Sequence, residues 1–177
     1  MFKLRPALEA DKPALNELIA LSGVELSTGF YTDEQARTIT REVYGVDSSL
    51  INDGTFYAIE SDGVIVACGG WGKRAVDCGG DHAKTGTDRL LDPTCEPARI
   101  RAFFVHPNMA RKGLGSMLLE HCTAQARCAG FKALELVSTM PGEPLYLRYG
   151  FTASEEVKMP LSNNVVVALT RMRKQIN

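Results

Sequence analysis

The run Ile100-Arg-Ala-Phe-Phe-Val-His-Pro-Asn-Met-Ala-Arg-Lys-Gly-Leu-Gly-Ser116 sets the terms for reading the rest of the chain. Its first half, ending at His106-Pro107, is apolar and β-prone, and a Pro is a natural stop for a strand. Met117-Leu-Leu-Glu-His-Cys-Thr-Ala-Gln-Ala-Arg127 follows with helical spacing. The order is therefore strand, basic glycine-bearing turn, helix start. That order gathers free backbone N–H groups and the positive end of a helix dipole at one point, which suits a phosphate. Gly113 and Gly115 let the main chain approach such a ligand without a Cβ in the way. Arg111 and Lys112 add positive charge, and Leu114 and Ser116 complete the turn as a pyrophosphate cradle.

Two familiar phosphate motifs do not fit. No GxxxxGK[ST] string occurs, which excludes a P-loop. A dinucleotide turn needs a third glycine three residues after Gly115, where Leu118 stands instead. A second motif lies downstream, in Pro144-Leu-Tyr-Leu-Arg-Tyr-Gly-Phe151, which reads as a short helix closed by Gly150 with Phe151 opening the next strand.

The two segments together resemble the signature of the GNAT-type N-acetyltransferases. Ala110-Arg-Lys-Gly-Leu-Gly115 is similar to that family's [Gln/Arg]-x-x-Gly-x-[Gly/Ala] turn, and 144–151 to its Leu-Tyr-x-x-x-Gly-Phe helix and turn. Ala110 departs from the pattern at its first position, which removes a side-chain contact and leaves the backbone cradle intact. The resemblance implies an α+β fold: a mixed, mostly antiparallel central sheet of about seven strands, helices on both faces, splayed at the cofactor strand. It implies acetyl-CoA as cofactor, with CoA as product and transfer to a primary amine in a ternary complex. Main-chain groups of Phe103, Phe104 and Val105 would hold the pantetheine arm, and an exposed N–H near Val105 would face the thioester carbonyl. Arg111 through Ser116 would take the pyrophosphate. Tyr146, at the Leu-Tyr position, would reprotonate the departing thiolate.

The general base is read from position. Glu135 alternates with Leu134 and Leu136 on the strand expected beside the cofactor strand, and some family members use a Glu there. Glu96, Asp81 or a water chain are its substitutes. Arg99 and Arg101 flank Ile100 and would either bind a substrate carboxylate or pair with Glu135. Trp71, at the end of Gly69-Gly70-Trp71, is read as a wall of the acceptor site or a plain core anchor. Tyr149 and His106 are read as structural. A non-catalytic acyl-CoA-binding module is the rival reading.

The remaining chain reads as one domain spanning 1–177. Apolar residues make up 45% and charged residues 23%, as in ordinary globular proteins. A net charge of −1 gives no reason to expect nucleic acid or membrane as partner; the partner is a small-molecule or peptide amine. Five scattered cysteines (68, 78, 95, 122 and 128) without a CxxC pair point to a reducing cytoplasm and to no metal site. Met1-Phe-Lys-Leu-Arg-Pro lacks the apolar core of a leader, which agrees with a cytoplasmic location. A homodimer through the C-terminal strands is compatible with the resemblance. Strands are expected over 2–6, 55–60, 64–71, 99–105, 133–138, 152–158 and 165–170. Helices are expected over about 11–21, closed by Gly23, and over 32–43, 115–128 and 143–149. Residues 72–97 show no periodicity and read as a long loop.

Overall fold

The computed structural model describes residues 1–176. Its elements run β1 (Lys3–Pro6), α1 (Lys12–Glu25), α2 (Asp33–Glu42), α3 (Ser48–Asn52), β2 (Phe56–Ser61), β3 (Val64–Gly72), β4 (Arg74–Cys78) and β5 (Thr85–Leu90). They continue as β6 (Ala98–Val105), α4 (Leu114–Cys128), β7 (Ala133–Ser138), α5 (Glu143–Arg148), β8 (Thr152–Pro160) and β9 (Val166–Gln175). Seven strands form one sheet in the order β1-β2-β3-β6-β7-β9-β8, and β4 pairs with β5 in a separate ribbon. All neighbours in the large sheet are antiparallel except β6 and β7. The fold is thus the α+β arrangement that the sequence implies.

Local chemistry accounts for several of these boundaries. Asp62 and Gly63 both take positive φ, 53° and 81°, as the two-residue turn between β2 and β3 requires. On α2 the Thr32 hydroxyl accepts the Gln35 N–H and the Gln35 side chain accepts the Thr32 N–H, a reciprocal capping box. α1 differs from the sequence reading at both ends. Asp11 makes no cap bond to the helix; its carboxylate accepts the Leu8 N–H and pairs with Arg5. Gly23 lies inside the helix, where a Cβ would come within 2.6 Å of the Thr40 hydroxyl and 2.8 Å of the Tyr44 ring. It permits close packing of α1 on α2 and does not end the helix.

The two faces of the sheet are covered by different helices. Leu118, Leu119, Cys122 and Ala126 of α4 recur at helical spacing and pack on Ile100, Leu134, Leu136 and Met172. Leu15, Leu18 and Ile19 of α1 pack on the opposite face against Phe56, Ala58 and Cys68. Ile39 of α2 and Val43, the residue that caps it, cover Val167 and Leu169 farther along that side.

Residues 72–97 are not an open loop. They hold the β4–β5 hairpin, whose tip is tied down: Gly80 N–H donates to the Val43 carbonyl and Asp81 N–H to the Val46 carbonyl, both at 2.9 Å. α3 is likewise absent from the sequence reading. It is five residues long and opened by the Asp47 carboxylate, which accepts the Ser49 N–H.

Two irregularities shape the site. Strand β6 pairs with β7 only at Ala98–Leu134 and Arg99–Glu135, and beyond Arg99 the two diverge. On its other edge β6 slips register against β3 between Cys68 and Gly70, and Ala102 takes a φ of 55°. This bulge adds one residue to the strand. Ile100 and Phe103 therefore face the α4 side, while Ala102 and Phe104 face the α1 side.

Candidate active site

Where β6 and β7 part, a cleft of about 720 Å³ opens through the sheet. Its lining includes Phe103, Phe104 and Val105 from β6, Leu136 and Val137 from β7, and Tyr146 from α5. The outward edge of β6 past Arg99 has no strand to pair with, so its peptide groups are available to an extended ligand.

The basic turn closes one end of this cleft. Arg111 and Gly113 both adopt left-handed backbone, with φ of 65° and 83°. The first bond within α4 is that of the Met117 N–H to the Gly113 carbonyl at 2.9 Å, so the amides before it have no helical partner. Nothing lies within 4 Å of where a Gly113 Cβ would sit, whereas one at Gly115 would approach Leu145 to 3.1 Å. Gly113 thus gives the turn its conformation and Gly115 lets α4 nestle on α5. Lys112 reaches back to the Met109 sulfur at 3.4 Å, leaving the mouth of the turn to its amides and to Arg111. A run of unspent amides at a helix start fits a pyrophosphate, and the unpaired strand edge fits the pantetheine arm. Acetyl-CoA therefore matches the residues present.

Tyr146 lines the cleft while almost fully buried, at 7% exposure. Its ring lies 6.3 Å from that of Phe103 and 5.6 Å from that of Phe151. Burial, with a smaller contribution from nearby Cys122, raises the phenol pKa and keeps the proton on oxygen. Gly150, with a φ of 81°, ends α5, and the Phe151 N–H returns to the Tyr146 carbonyl. Tyr149 points elsewhere: its hydroxyl donates to the Glu120 carboxylate at 2.6 Å.

Several expected groups sit differently. The Val105 N–H donates to the Ser22 hydroxyl at 3.3 Å, so a side chain of α1 already meets the amide expected at the thioester. Glu135 is outside the cleft lining, with its carboxylate 2.7 Å from Arg99 and 3.1 Å from Arg171. Arg99 forms ion pairs with Glu135 at 2.7 Å and Asp77 at 3.4 Å, but its buried Nε and Nη1 are not aligned for a hydrogen bond to either. Arg101 touches the cleft but is 4% exposed, and it donates to Asp47, the Val76 carbonyl and the Gly79 carbonyl. Burial lowers its pKa while Asp47 opposes that shift. Arg101 has its donors committed, and Arg99 lies outside the cleft lining, so neither is placed to hold a substrate carboxylate. Trp71 is a core anchor, packed edge-on against Phe131 at 6.0 Å and away from the cleft. Asp81 accepts the Ser48 N–H, and Glu96 holds Arg89 and the Asp92 N–H; both fasten loops. His106 accepts the Asn108 N–H through Nδ1, a turn-forming role.

The lining residues without a role in the sequence reading include Ser22, Tyr44, Asp77 and Arg148. Arg148 carried the one available signal, since it lies inside the second motif on α5. Among the described residues no cluster of His, Cys, Asp or Glu is placed to hold a metal, and no helix is long and apolar enough to cross a membrane.

Comparison with known proteins agrees with this geometry. Residues 52–153 match the family described as "Acetyltransferase (GNAT) domain". The tRNA(Met) cytidine acetyltransferase TmcA of Aeropyrum pernix is 35% identical over 105 residues, covering 54% of this chain and 14% of that protein. The chain therefore spans about one-seventh of the curated relative it matches. Among solved structures, a GCN5-related N-acetyltransferase from Rhodopseudomonas palustris superposes with a TM-score of 0.70 at 18% identity, over 98% of this chain and 94% of that one. The PaiA N-acetyltransferase of Thermoplasma acidophilum, in complex with coenzyme A, superposes with a TM-score of 0.68 at 16% identity over 99% of each.

Proposed function

Because this chain belongs to the GNAT acetyltransferase family, we propose that it transfers the acetyl group of acetyl-CoA to a primary amine by direct attack in a ternary complex. The observation that carries this reading is the cleft: one cavity joins the unspent amides of 111–116, the free edge of β6 and the buried Tyr146. The bound thioester supplies an activated acetyl group.

The residues divide the remaining work. Amides of Arg111, Lys112, Gly113, Leu114, Gly115 and Ser116 hold pyrophosphate oxygens, with Arg111 and Arg148 adding charge. Peptide groups of Phe103, Phe104 and Val105 align the pantetheine arm as an added strand. Ser22 supports the bulged end of β6 through the Val105 amide and turns its hydroxyl from that amide when a carbonyl oxygen replaces it. Tyr146 holds a proton at its phenol oxygen for the departing thiolate. We assign no proton transfer to Glu135, whose carboxylate is occupied by Arg99 and Arg171. A net charge of −1 offers no overall attraction for a polyanion such as RNA, which favours a small-molecule or peptide acceptor.

The occupied state of Glu135 also suits a second reading, a module that binds acyl-CoA without turning it over. One experiment separates the two. Acetyl-CoA is titrated calorimetrically into the protein, and thiol release is then followed with a panel of primary amines. Binding followed by amine-dependent thiol release is the expected outcome. Binding with no release across the panel favours the module, and no binding rejects both.

A further inference from the structure

The cleft carries its charge unevenly. Its cationic lining residues are Arg101, Arg111 and Arg148, and Asp77 is its single carboxylate among the described residues. Arg111 lies in the amide turn and Arg148 on α5, which packs against that turn. Arg101 has its donors spent on Asp47 and on two carbonyls of the hairpin. The hairpin end therefore offers a carboxylate and no uncommitted cation.

Asp77 is held loosely. Its oxygens lie 3.4 Å from Arg99 and 3.4 to 3.5 Å from Arg171, whereas Glu135 sits 2.7 and 3.1 Å from the same two guanidiniums. Glu155 also contacts Arg171, at 2.7 Å. Three carboxylates thus surround two guanidiniums, and the buried Arg101, which also feels Asp77, is committed to Asp47 and two carbonyls. Asp77 is the member of this set that reaches the cleft.

The same cleft has an apolar wall that bears a buried, unspent polar atom. Leu169 and Tyr44 line the cleft, and the segment next to Tyr44 meets the hairpin where Gly45 packs on Gly80. The Tyr44 phenol oxygen is buried and has no hydrogen-bond partner. A half-buried carboxylate, 30% exposed and held by its guanidiniums only at 3.4 Å or more, in a cleft whose wall also carries an unpartnered hydroxyl, calls for a cationic donor group.

We propose that the hairpin end of the cleft binds the acceptor as a primary ammonium on an apolar body, with Asp77 as counter-ion, and discriminates against amines that carry a carboxylate beside the nitrogen. The cleft's identity as an acyl-transfer site rests on the reading above; the charge selectivity does not. A carboxylate introduced next to the amine meets Asp77 with no free guanidinium to receive it.

The test uses the protein saturated with CoA and compares phenethylamine with phenylalanine, which has the same ring and amine and adds the carboxylate. Calorimetry is expected to show phenethylamine binding more tightly by roughly tenfold or more. In Asp77→Asn the phenethylamine affinity falls by about the same factor with CoA affinity unchanged. In Glu155→Gln, which removes a carboxylate of the same network outside the cleft, it is retained. Equal binding of the two ligands by the wild-type protein overturns the proposal without recourse to any variant. So does an unchanged affinity in Asp77→Asn, an equal loss in both variants, or a failure to bind phenethylamine by protein that takes up CoA. Failure of the wild-type protein to take up CoA overturns the acetyltransferase reading instead.

Discussion

Tyr146 on the six-residue α5 and Tyr149, the residue that caps its end, lie one turn apart and have different surroundings. Tyr149 spends its hydroxyl on Glu120 at the surface, while Tyr146 is buried on the cleft wall between Phe103 and Phe151. A buried phenol whose pKa lies above its ordinary 10.0 remains protonated through neutral and mildly alkaline pH. That is the state a proton donor to a leaving thiolate needs. Tyr146→Phe keeps the ring packing and removes the hydroxyl that carries the proton, so kcat is expected to fall on the order of 10²-fold. Calorimetry should return an acetyl-CoA affinity close to that of the wild-type protein. An unchanged kcat would take Tyr146 out of the mechanism. Tyr149→Phe serves as the matched control, since its hydroxyl is spent outside the cleft.

At the scale of elements, the turn into α4 and the β4–β5 hairpin define the two ends of the cleft. Gly113 holds a left-handed φ of 83°, which costs a β-carbon residue about 1–2 kcal/mol. Gly113→Val either strains the turn or rotates its amides, and acetyl-CoA binding should weaken by roughly tenfold or more while the core stays folded. Retained affinity would place the pyrophosphate elsewhere. The hairpin is fixed by an ion pair as well as by backbone: Asp47, 1% exposed, holds Arg101 at 3.2 Å and Lys84 at 2.7 Å. Asp47→Ala leaves Arg101 buried without its counter-ion, and denaturant unfolding should show a loss of about 3–5 kcal/mol. The two ends were not equally legible in sequence. Turn and helix start follow from local rules, because left-handed backbone, cap and helical period are all written within a dozen residues. The hairpin is invisible to such rules: β5 is exposed along its whole length, its pairing with β4 slips register twice, and α3 is too short for a period to show. Arg99 and Glu135 could be named as neighbours, since strand alternation puts both on one face. That Arg171, Asp77 and Glu155 would join them depends on β9, β4 and β8 arriving from distant parts of the chain.

Across the whole molecule, titration outside the cleft sets the pH range in which these tests are informative. Glu42 and Glu96 are held down at about 2, Glu42 by Ser162 and Arg41 and Glu96 by Arg89 and the Asp92 amide. Asp11 is lowered chiefly by Arg5. A carboxyl whose folded pKa is depressed contributes stability above its unfolded pKa and loses it as pH falls through the folded one. These groups therefore destabilise the fold between about pH 4.5 and about pH 2. At the other extreme, burial pushes Cys68 up to about 12, so stability declines as pH rises above its ordinary 9.0. One group acts between these limits. His121 sits on α4 with its ring 4.4 Å from that of Tyr57, edge to face, and burial lowers its pKa below 6.5. The unfolded chain then takes up a proton that the folded protein resists, and stability drops as pH falls below about 6.5. Melting curves collected from pH 8 to pH 5 should show a gradual fall in Tm for the wild-type protein. His121→Phe keeps the aromatic contact and has nothing to protonate, so its Tm should stay level over the same interval. A parallel fall in both proteins would mean that His121 is not the group responsible.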